Sequence, residues 1–592
     1  MNKFLLTLLI ITLSLFCLNV KSQVLPKNRR VDWKLAGLKP PQETNSTKYH
    51  VSDYGLKGDG ISPNDSAFKE LLNLINGRPA LVLFPEGNFL FKNTISLSND
   101  LVLRGEGSQK TTITSNLTGT FSHSFSIIGE TKFNDTTLFN QSASKGDSSI
   151  ELSPGHSLSN GDWIHLIKND SQLVTSNWAL QTVGQIVKIK SVSNNIVILE
   201  SALRLDYPMS DSPFLRKITP NENVGIECLK AVRIDNDAPN QSSIIYLKYA
   251  ANCWFRGIES ENCTFSHFEA TASSNLYVSN SYFHHGFEYG SGGRAYGVLL
   301  DSTSNECLIE NNIFEHLRHS MLVQAGANGN VFAYNYSIDP FWDTNPNNSA
   351  GDMVLHGNYP YSNLFEHNIC QNIVIDNSHG PNGTNNTFLR NRADGFGIFF
   401  SASNSPHQNF IGNEITNTNF PFSLVNYSIS GADHFLYGNN NKGTIDPQNT
   451  EILTDLSYVY TKRPSFIEAK HFASLGTPNI MGSGSNPANQ MYTATGKLEL
   501  SCQNNITISN PDFNPVLESE ILLFPNPNKG LFHLNLNELS EVNIINSMGQ
   551  IIQSIETHES SILIDLTNYA KGIYYLNFTQ NSQIQVRKII IH

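Results

Sequence analysis

Cysteine is scarce in this chain of 592 residues: there are seven, and Cys17 lies in an apolar N-terminal stretch. The other six, Cys228, Cys253, Cys263, Cys307, Cys370 and Cys502, lack the tight paired spacing of a zinc site. Scattered core thiols are expected, with one or two disulfides if the compartment is oxidising. Charge is also sparse. Charged residues make up 15% of the chain and leave a formal balance of -12, which argues against nucleic acid as a partner. It argues only weakly against an anionic ligand, because salt screens global charge within ~10 Å and a local basic cleft can dominate. After the first 22 residues nothing approaches the ~18 consecutive apolar residues of a membrane span.

Those first 22 residues read as a secretory signal, with Lys3 as the basic start, "FLLTLLIITLSLFCLNV" as the apolar segment and "VKSQ" as the cleavage region. Removing Lys3 and Lys21 moves the formal charge from -12 to -14. The mature chain is expected to be soluble, exported and monomeric.

What is plentiful is Asn, Ser, Thr and Gly around short Val/Ile/aromatic runs, a composition for many short strands joined by turns. "LHGNYPYSNLFEHN" from Leu355 and "SHGPNGTNNTFLRN" from Ser378 overlay without a gap, 23 residues apart. The block Asn-apolar-aromatic-x-x-Asn recurs, ending at Asn280, Asn311, Asn335, Asn368, Asn391, Asn413 and Asn439, with "NCWFRG" one step earlier. The steps are 23, 31, 24, 33, 23, 22 and 26 residues. A unit near 23 residues cannot bury its apolar face alone, whereas stacked copies can. It suits one turn of a parallel β-helix of three short strands, each pairing one turn away at ~4.8 Å. The Asn corner is then an architectural ladder, since Asn tolerates left-handed backbone and its amide can bond the next Asn.

Two segments carry resemblances. "VSDYGLKGDGISPNDSAFKELL", "LVLFPEGNFLF" and "LVLRGEGSQKTTI" resemble the opening of the pectate-lyase-like right-handed parallel β-helix superfamily, through Asp53, Tyr54, Gly55, Gly58, Asp59, Gly60, Phe84, Pro85 and Gly87. The residues agree with the capping helix this implies: Asp65 or Ser66 can N-cap, and Phe68, Leu71, Leu72 and Ile75 share one face. "LFPNPNKGLFHLNL", "VNIINSMGQII", "IDLTNYAKGIYYLNF" and "VRKIIIH" resemble the C-terminal sorting domain of the type IX secretion system of Bacteroidetes. The fold expected is therefore all-β. A right-handed parallel β-helix with a capping helix over residues 45–490 carries an inserted β module at 140–220. A linker at 491–517 and a β-sandwich sorting domain at 518–592 follow. That resemblance makes the type IX machinery a partner and the cell surface or exterior the destination.

The two longest steps, 31 and 33 residues, place their surplus in "HHGFEYGSGGRAYG" and "IDPFWDTNPNNSAGD", directly after the Asn corner. Loops projecting from a rigid coil concentrate binding residues, and these bring Tyr289, Arg294, Tyr296 and Trp342. Counting from the corners puts Arg318, His319, His356, Asp376 and His379 on one strip of one face, with Arg390 and Arg392 flanking the next corner. Imidazoles that titrate near neutrality suit acid–base work, so His319, His356, His379, Arg318 and Tyr289 are candidate catalytic residues. Arg294, Tyr296, Trp342, Asp376, Arg390 and Arg392 are candidate substrate contacts.

Members of the resembled superfamily act mostly on polysaccharides, many of them rich in uronic acids. β-Elimination at a uronate needs a cation for the carboxylate, a base for the C-5 proton and an acid for the C-4 oxygen. Arg318 or Arg294 could meet the first need, and His319, His356, His379 or Tyr289 the other two. A sugar leaving group would make a polysaccharide lyase. A hydroxyl on a non-reducing terminal uronate would make an oligosaccharide dehydratase, as on ulvan-type material. The rival enzyme is a polygalacturonase-like hydrolase, which requires carboxylates around the scissile bond; the coil has no Asp-Asp pair. A third reading is a non-catalytic polysaccharide-binding surface protein. No cofactor is expected; Asp352, Asp376 and Asp394 are dispersed, leaving calcium open rather than assigned.

Overall fold

The computed structural model describes residues 23–39, 46–118, 121–236, 241–290, 292–344, 348–349, 351–420, 422 and 428–495. In the tail it describes 522–524, 528–535, 540–547, 550–557, 561–580 and 583–592. The leader, and nearly all of the expected linker, lie outside these.

Short strands recur three to a turn and pair in parallel with their equivalents one turn away. Leu308–Glu310, Ile313–Glu315 and His319–Val323 make one turn; Val331–Ala333, Tyr336–Ile338 and Met353–Leu355 make the next. Three sheets run along the coil axis, called here first, second and third by their order within a turn. Later turns merge the second and third strands into Ile369–Ile375 and Arg392–Phe400. The interior is apolar and stacks in files: Phe332, Phe365, Phe388 and Phe410 lie face to face, each ring centroid 5.0 Å from the next.

The Asn ladder stands at the corner between first and second sheets. Asn312, Asn335, Asn368, Asn391 and Asn413 each donate from the side-chain amide to the side-chain oxygen of the next, at 2.9–3.0 Å, and the ladder ends on Asn439. A second ladder, Asn330, Asn363, Asn386 and Gln408, precedes the first strand. The left-handed position is the residue before the ladder, occupied by Asn280, Asn311, Tyr334, His367 and Arg390. Two expectations change accordingly: the ladder residue itself is not the left-handed one, and Asn312 rather than Asn311 is in register.

The capping helix, α1, spans Asp65–Ile75 and buries Phe68, Leu71 and Ile75. Asn64 is its N-cap position; Asp65 instead accepts from the backbone N–H groups of Lys92 and Asn93. The coil is interrupted between its strand Phe125–Ile128 and Gly225–Glu227, which pairs back onto Leu101–Arg104. Six antiparallel strands from Glu130 to Thr219 fill the gap, so the inserted module begins ten residues before the expected 140. After Asn441 the chain turns back along the coil, and helix α2, Pro487–Thr495, lays Ala488, Met491 and Tyr492 on the second sheet beside Ile313, Tyr336 and Ile369. The tail is a separate pair of antiparallel sheets around Phe532, Leu534, Val542, Ile544, Leu576 and Ile589. Cys253, Cys263, Cys307 and Cys370 are free and buried, and Cys228 is disulfide-bonded.

Burial holds several imidazoles neutral. His165, His267, His319 and His367 are each pushed down to about 3, mainly by desolvation. The unfolded chain protonates these groups below about 6.5 while the folded one does not, so stability falls as pH drops from there toward 3. Each histidine contributes up to about 1.4 kcal/mol per pH unit in that window. Thermal unfolding should therefore occur at a clearly lower temperature at pH 5 than at pH 7.5; an unchanged midpoint would contradict it.

Candidate active site

Four rings form a continuous row on the outer face of the third sheet. Tyr296 and His319 lie 4.9 Å apart by ring centroid, His319 and His356 5.4 Å, and His356 and His379 5.0 Å. The strip was legible from the sequence, but its register was not. Met321 pairs with Met353, so His319 precedes that pair, whereas His356 follows the pair Val323–Leu355. The two imidazoles therefore enter from opposite ends of their strands and lean together. Asp376, not His379, is level with His356, because Leu355 pairs with Ile375.

The His-Gly repeat supplies the turn that ends this strand. Gly357 and Gly380 have φ of 77° and 83°. A Cβ on Gly357 would lie 2.7 Å from the His379 backbone, so the close approach of the two turns requires glycine.

His319 is 7% exposed. Its Nδ1 lies 2.9 Å from the Gly351 carbonyl oxygen and must donate to it, which leaves Nε2 as a buried acceptor with no hydrogen-bond partner. Burial first, then the charges of His356 and Arg318, keep this ring neutral. His356 has the opposite surroundings, with its Nδ1 2.6 Å from Asp376 Oδ2. Burial alone would raise the Asp376 pKa, but its bond and ion pair with His356 and its bonds from Ser378 outweigh this and hold it well below the ordinary value. A neutral imidazole with a free ring nitrogen beside one set on a carboxylate provides the two proton-handling groups an acid–base pair requires.

Arg318 stands half-buried beside this pair. It donates to the Gly290 carbonyl at 3.0 Å and makes no ion pair with a carboxylate among the described residues. Its charge is felt by both Tyr296 and His319. The strand that carries His319 is anchored by the returning long loop. Asp352, fully buried and pushed up to about 7 by desolvation, accepts from Asn372 N at 3.1 Å, while its backbone carbonyl accepts from Met321 N at 2.7 Å.

Other candidates lie elsewhere. Tyr289 stacks on Phe341 and meets His316 edge-on at the corner between second and third sheets, in a second imidazole cluster with His284 and His285. Arg294 is tied to Glu288. Trp342 opens a two-stranded hairpin with Asn348–Ser349, and its side chain lies outside the described residues. Arg390 and Arg392 are corrected from substrate contacts to structural residues. Arg390, 0% exposed, gives its guanidinium to the carbonyls of Asp455, Leu475, Thr477 and Leu453. Arg392 lies under the C-terminal wrap and pairs with Glu414 at 3.2 Å. Both guanidiniums are taken up by backbone carbonyls of the C-terminal segment, a covering that charge and spacing do not reveal.

Sequence reading missed Trp178. The inserted module docks on the corner between third and first sheets, where Asn305 exchanges two hydrogen bonds with the Ile186 backbone and Asn358 accepts from Thr175 N at 2.9 Å. That docking sets Trp178, 53% exposed, with its ring 6.0 Å from His379. The contact joins positions 201 residues apart, and no local pattern announces it.

Asp352, Asp376 and Asp394 serve three separate partners: the Asn372 backbone, His356 and Thr416. Among the described residues one group gathers three metal-capable side chains, Glu259, Glu261 and His284, and the Lys230 ammonium sits on both carboxylates at 2.7 and 2.6 Å.

Comparison with known proteins agrees with the two segments singled out above. Residues 49–150 match the domain model described as rhamnogalacturonase A/epimerase, pectate lyase-like, and residues 522–592 match the secretion system C-terminal sorting domain. The chain thus opens its coil with a pectate-lyase-like domain. It ends in a type IX sorting domain, which directs it to the cell surface or the exterior. No curated protein matches it significantly. Among solved structures, the tailspike gp61 of Pseudomonas phage phi297 is 14% identical, with 63% of this chain and 64% of that one covered and a TM-score of 0.47. The A-module of the mannuronan C-5 epimerase AlgE6 of Azotobacter vinelandii is 12% identical over 66% and 98%, with a TM-score of 0.33. The exopolygalacturonase of Thermotoga maritima is 12% identical over 66% and 86%, with a TM-score of 0.36. The chain spans about 64% of the length of this tailspike and of the tailspike gp49 of Pseudomonas phage LKA1. No described helix is long and apolar enough to cross a membrane.

Proposed function

We propose that this exported protein is an enzyme that performs β-elimination on a uronate-containing polysaccharide or its oligosaccharides. The observation that carries the reading is the pairing of His319, kept neutral by burial, with His356, 5.4 Å away and set on the Asp376 carboxylate, beside the cation of Arg318. In this mechanism Arg318 takes the uronate carboxylate, which its planar fork can bind bidentately and which acidifies the neighbouring C–H. The bare Nε2 of His319 takes the C-5 proton. The C5–H electrons form the C4–C5 double bond as the C4–O bond breaks, and His356, oriented by Asp376, gives a proton to the departing oxygen. Trp178 offers a flat face for a sugar ring at the His379 end of the row.

The same chemistry serves a lyase, when the leaving group is a sugar, and a dehydratase, when it is the hydroxyl of a terminal uronate. Incubation with pectic, alginate and ulvan polymers, and with lyase-cut oligomers, tests the reading. Ultraviolet absorbance from a conjugated double bond is expected with one of them; new reducing ends without it would replace elimination by hydrolysis.

A further inference from the structure

The polar row that carries His356 continues past the proposed reaction centre. Thr271, Asp301, Gln324, His356 and Asp376 follow one another in successive turns of the third sheet, all on its outer face. At ~4.8 Å per turn, Asp301 stands about 10 Å from His356 along the axis. Thr271 donates to Asp301 at 2.8 Å. Glu269, diagonal to Asp301 and also 9% exposed, accepts from Ser243. The far end carries an aromatic step: Tyr246, whose strand pairs with that of Glu269, stacks on His123 at 4.1 Å, and Phe121, 60% exposed, meets His123 edge-on.

At about 10 Å this carboxyl pair is beyond the ~3 Å reach of a proton transfer at the bond His319 and His356 attack. It lies instead where a neighbouring ring of a substrate chain laid along the axis would rest. The aromatic face suits the apolar side of a pyranose, and the Asp301 and Glu269 carboxyls and Thr271 hydroxyl suit its hydroxyl groups. The carboxyl pair also repels a second carboxylate. Burial pushes both carboxyls up, helped in Glu269 by the charge of Asp301, while bonds from Thr271 and Gln324 and the Lys248 ammonium, whose residue pairs with Thr271, favour the ionised form of Asp301.

We infer that Tyr246, Glu269, Thr271 and Asp301 form a distal subsite for an uncharged sugar ring, and that the substrate therefore alternates uronate with neutral sugar rather than carrying a carboxylate on every ring. This rests on the proposed function for the position of the reacting uronate. Its test is read by binding, independently of turnover.

Calorimetry on the full chain would compare desulfated ulvan oligomers, in which uncharged rings separate the uronates, with oligogalacturonates of equal length. The alternating oligomers should bind at least about tenfold tighter, since like charges brought together across an interface are strongly disfavoured. The double variant Glu269→Gln/Asp301→Asn should narrow that ratio, and Tyr246→Ala should weaken the alternating oligomers by about tenfold, increasingly with length. Equal affinity for the two series, a ratio the double variant leaves in place, or binding of neither series would overturn the subsite. If Glu269→Gln instead abolished turnover of short and long oligomers alike while affinity held, the pair would be catalytic and the inference wrong. Unsaturated products without the binding preference would sink the subsite alone; the preference without unsaturated products would sink the elimination alone.

Discussion

His319→Gln should lower kcat on the responsive uronate polymer by about 10²–10⁴-fold, the range typical of a lost proton-transfer group. Glutamine can keep a donor toward the Gly351 carbonyl but offers no basic nitrogen. The fold around it should hold, so the unfolding temperature should move by only a few degrees while activity collapses. His356→Gln should cost a similar factor. Asp376→Asn should act through His356: without the carboxylate at 2.6 Å the imidazole loses the partner that orients it, and kcat should fall while KM holds. Wild-type rates in both histidine variants would make the row a structural device.

The second large effect concerns stability. Arg390→Met should destabilise the coil by about 3–5 kcal/mol or more, because three buried carbonyls are orphaned at about 1–3 kcal/mol each and that of Leu475 keeps only a 3.3 Å bond from Asn479. These carbonyls, of Leu453, Asp455, Leu475 and Thr477, belong to the segment that wraps the first corner. The substitution should loosen that wrap, seen as a lowered denaturant midpoint and early proteolysis between residues 453 and 477. The KM of the fraction still folded should stay the same. A raised KM with unchanged stability would return Arg390 to the substrate.

These two residues show what a single sequence can disclose here. The 23-residue repeat makes the winding legible, because each turn must stack on its neighbours to bury Phe332, Phe365, Phe388 and Phe410. Winding in turn brings His319, His356, Asp376 and His379 to one face. Direction is harder. Arg390 occupies the left-handed position at a corner, with φ of 53°, and its side chain leaves the coil on the side where the C-terminal segment later settles. Spacing cannot report which surface another segment will cover. The one-residue slip at Asn311 has a similar origin: two consecutive asparagines satisfy the pattern, and only the hydrogen bond to Asn335 distinguishes Asn312 as the ladder residue. Trp178 was beyond reach for a third reason, since it arrives on an inserted module whose docking depends on Asn305 and Asn358, far along the chain.

Digestion in water enriched in heavy oxygen tests the chemistry most directly. Elimination breaks the C4–O bond without adding water, so the new ends should be unsaturated uronates and the products should carry no heavy oxygen beyond slow exchange at reducing ends. Saturated products with one heavy oxygen fixed per cleavage would show hydrolysis and contradict the roles given to His319 and His356.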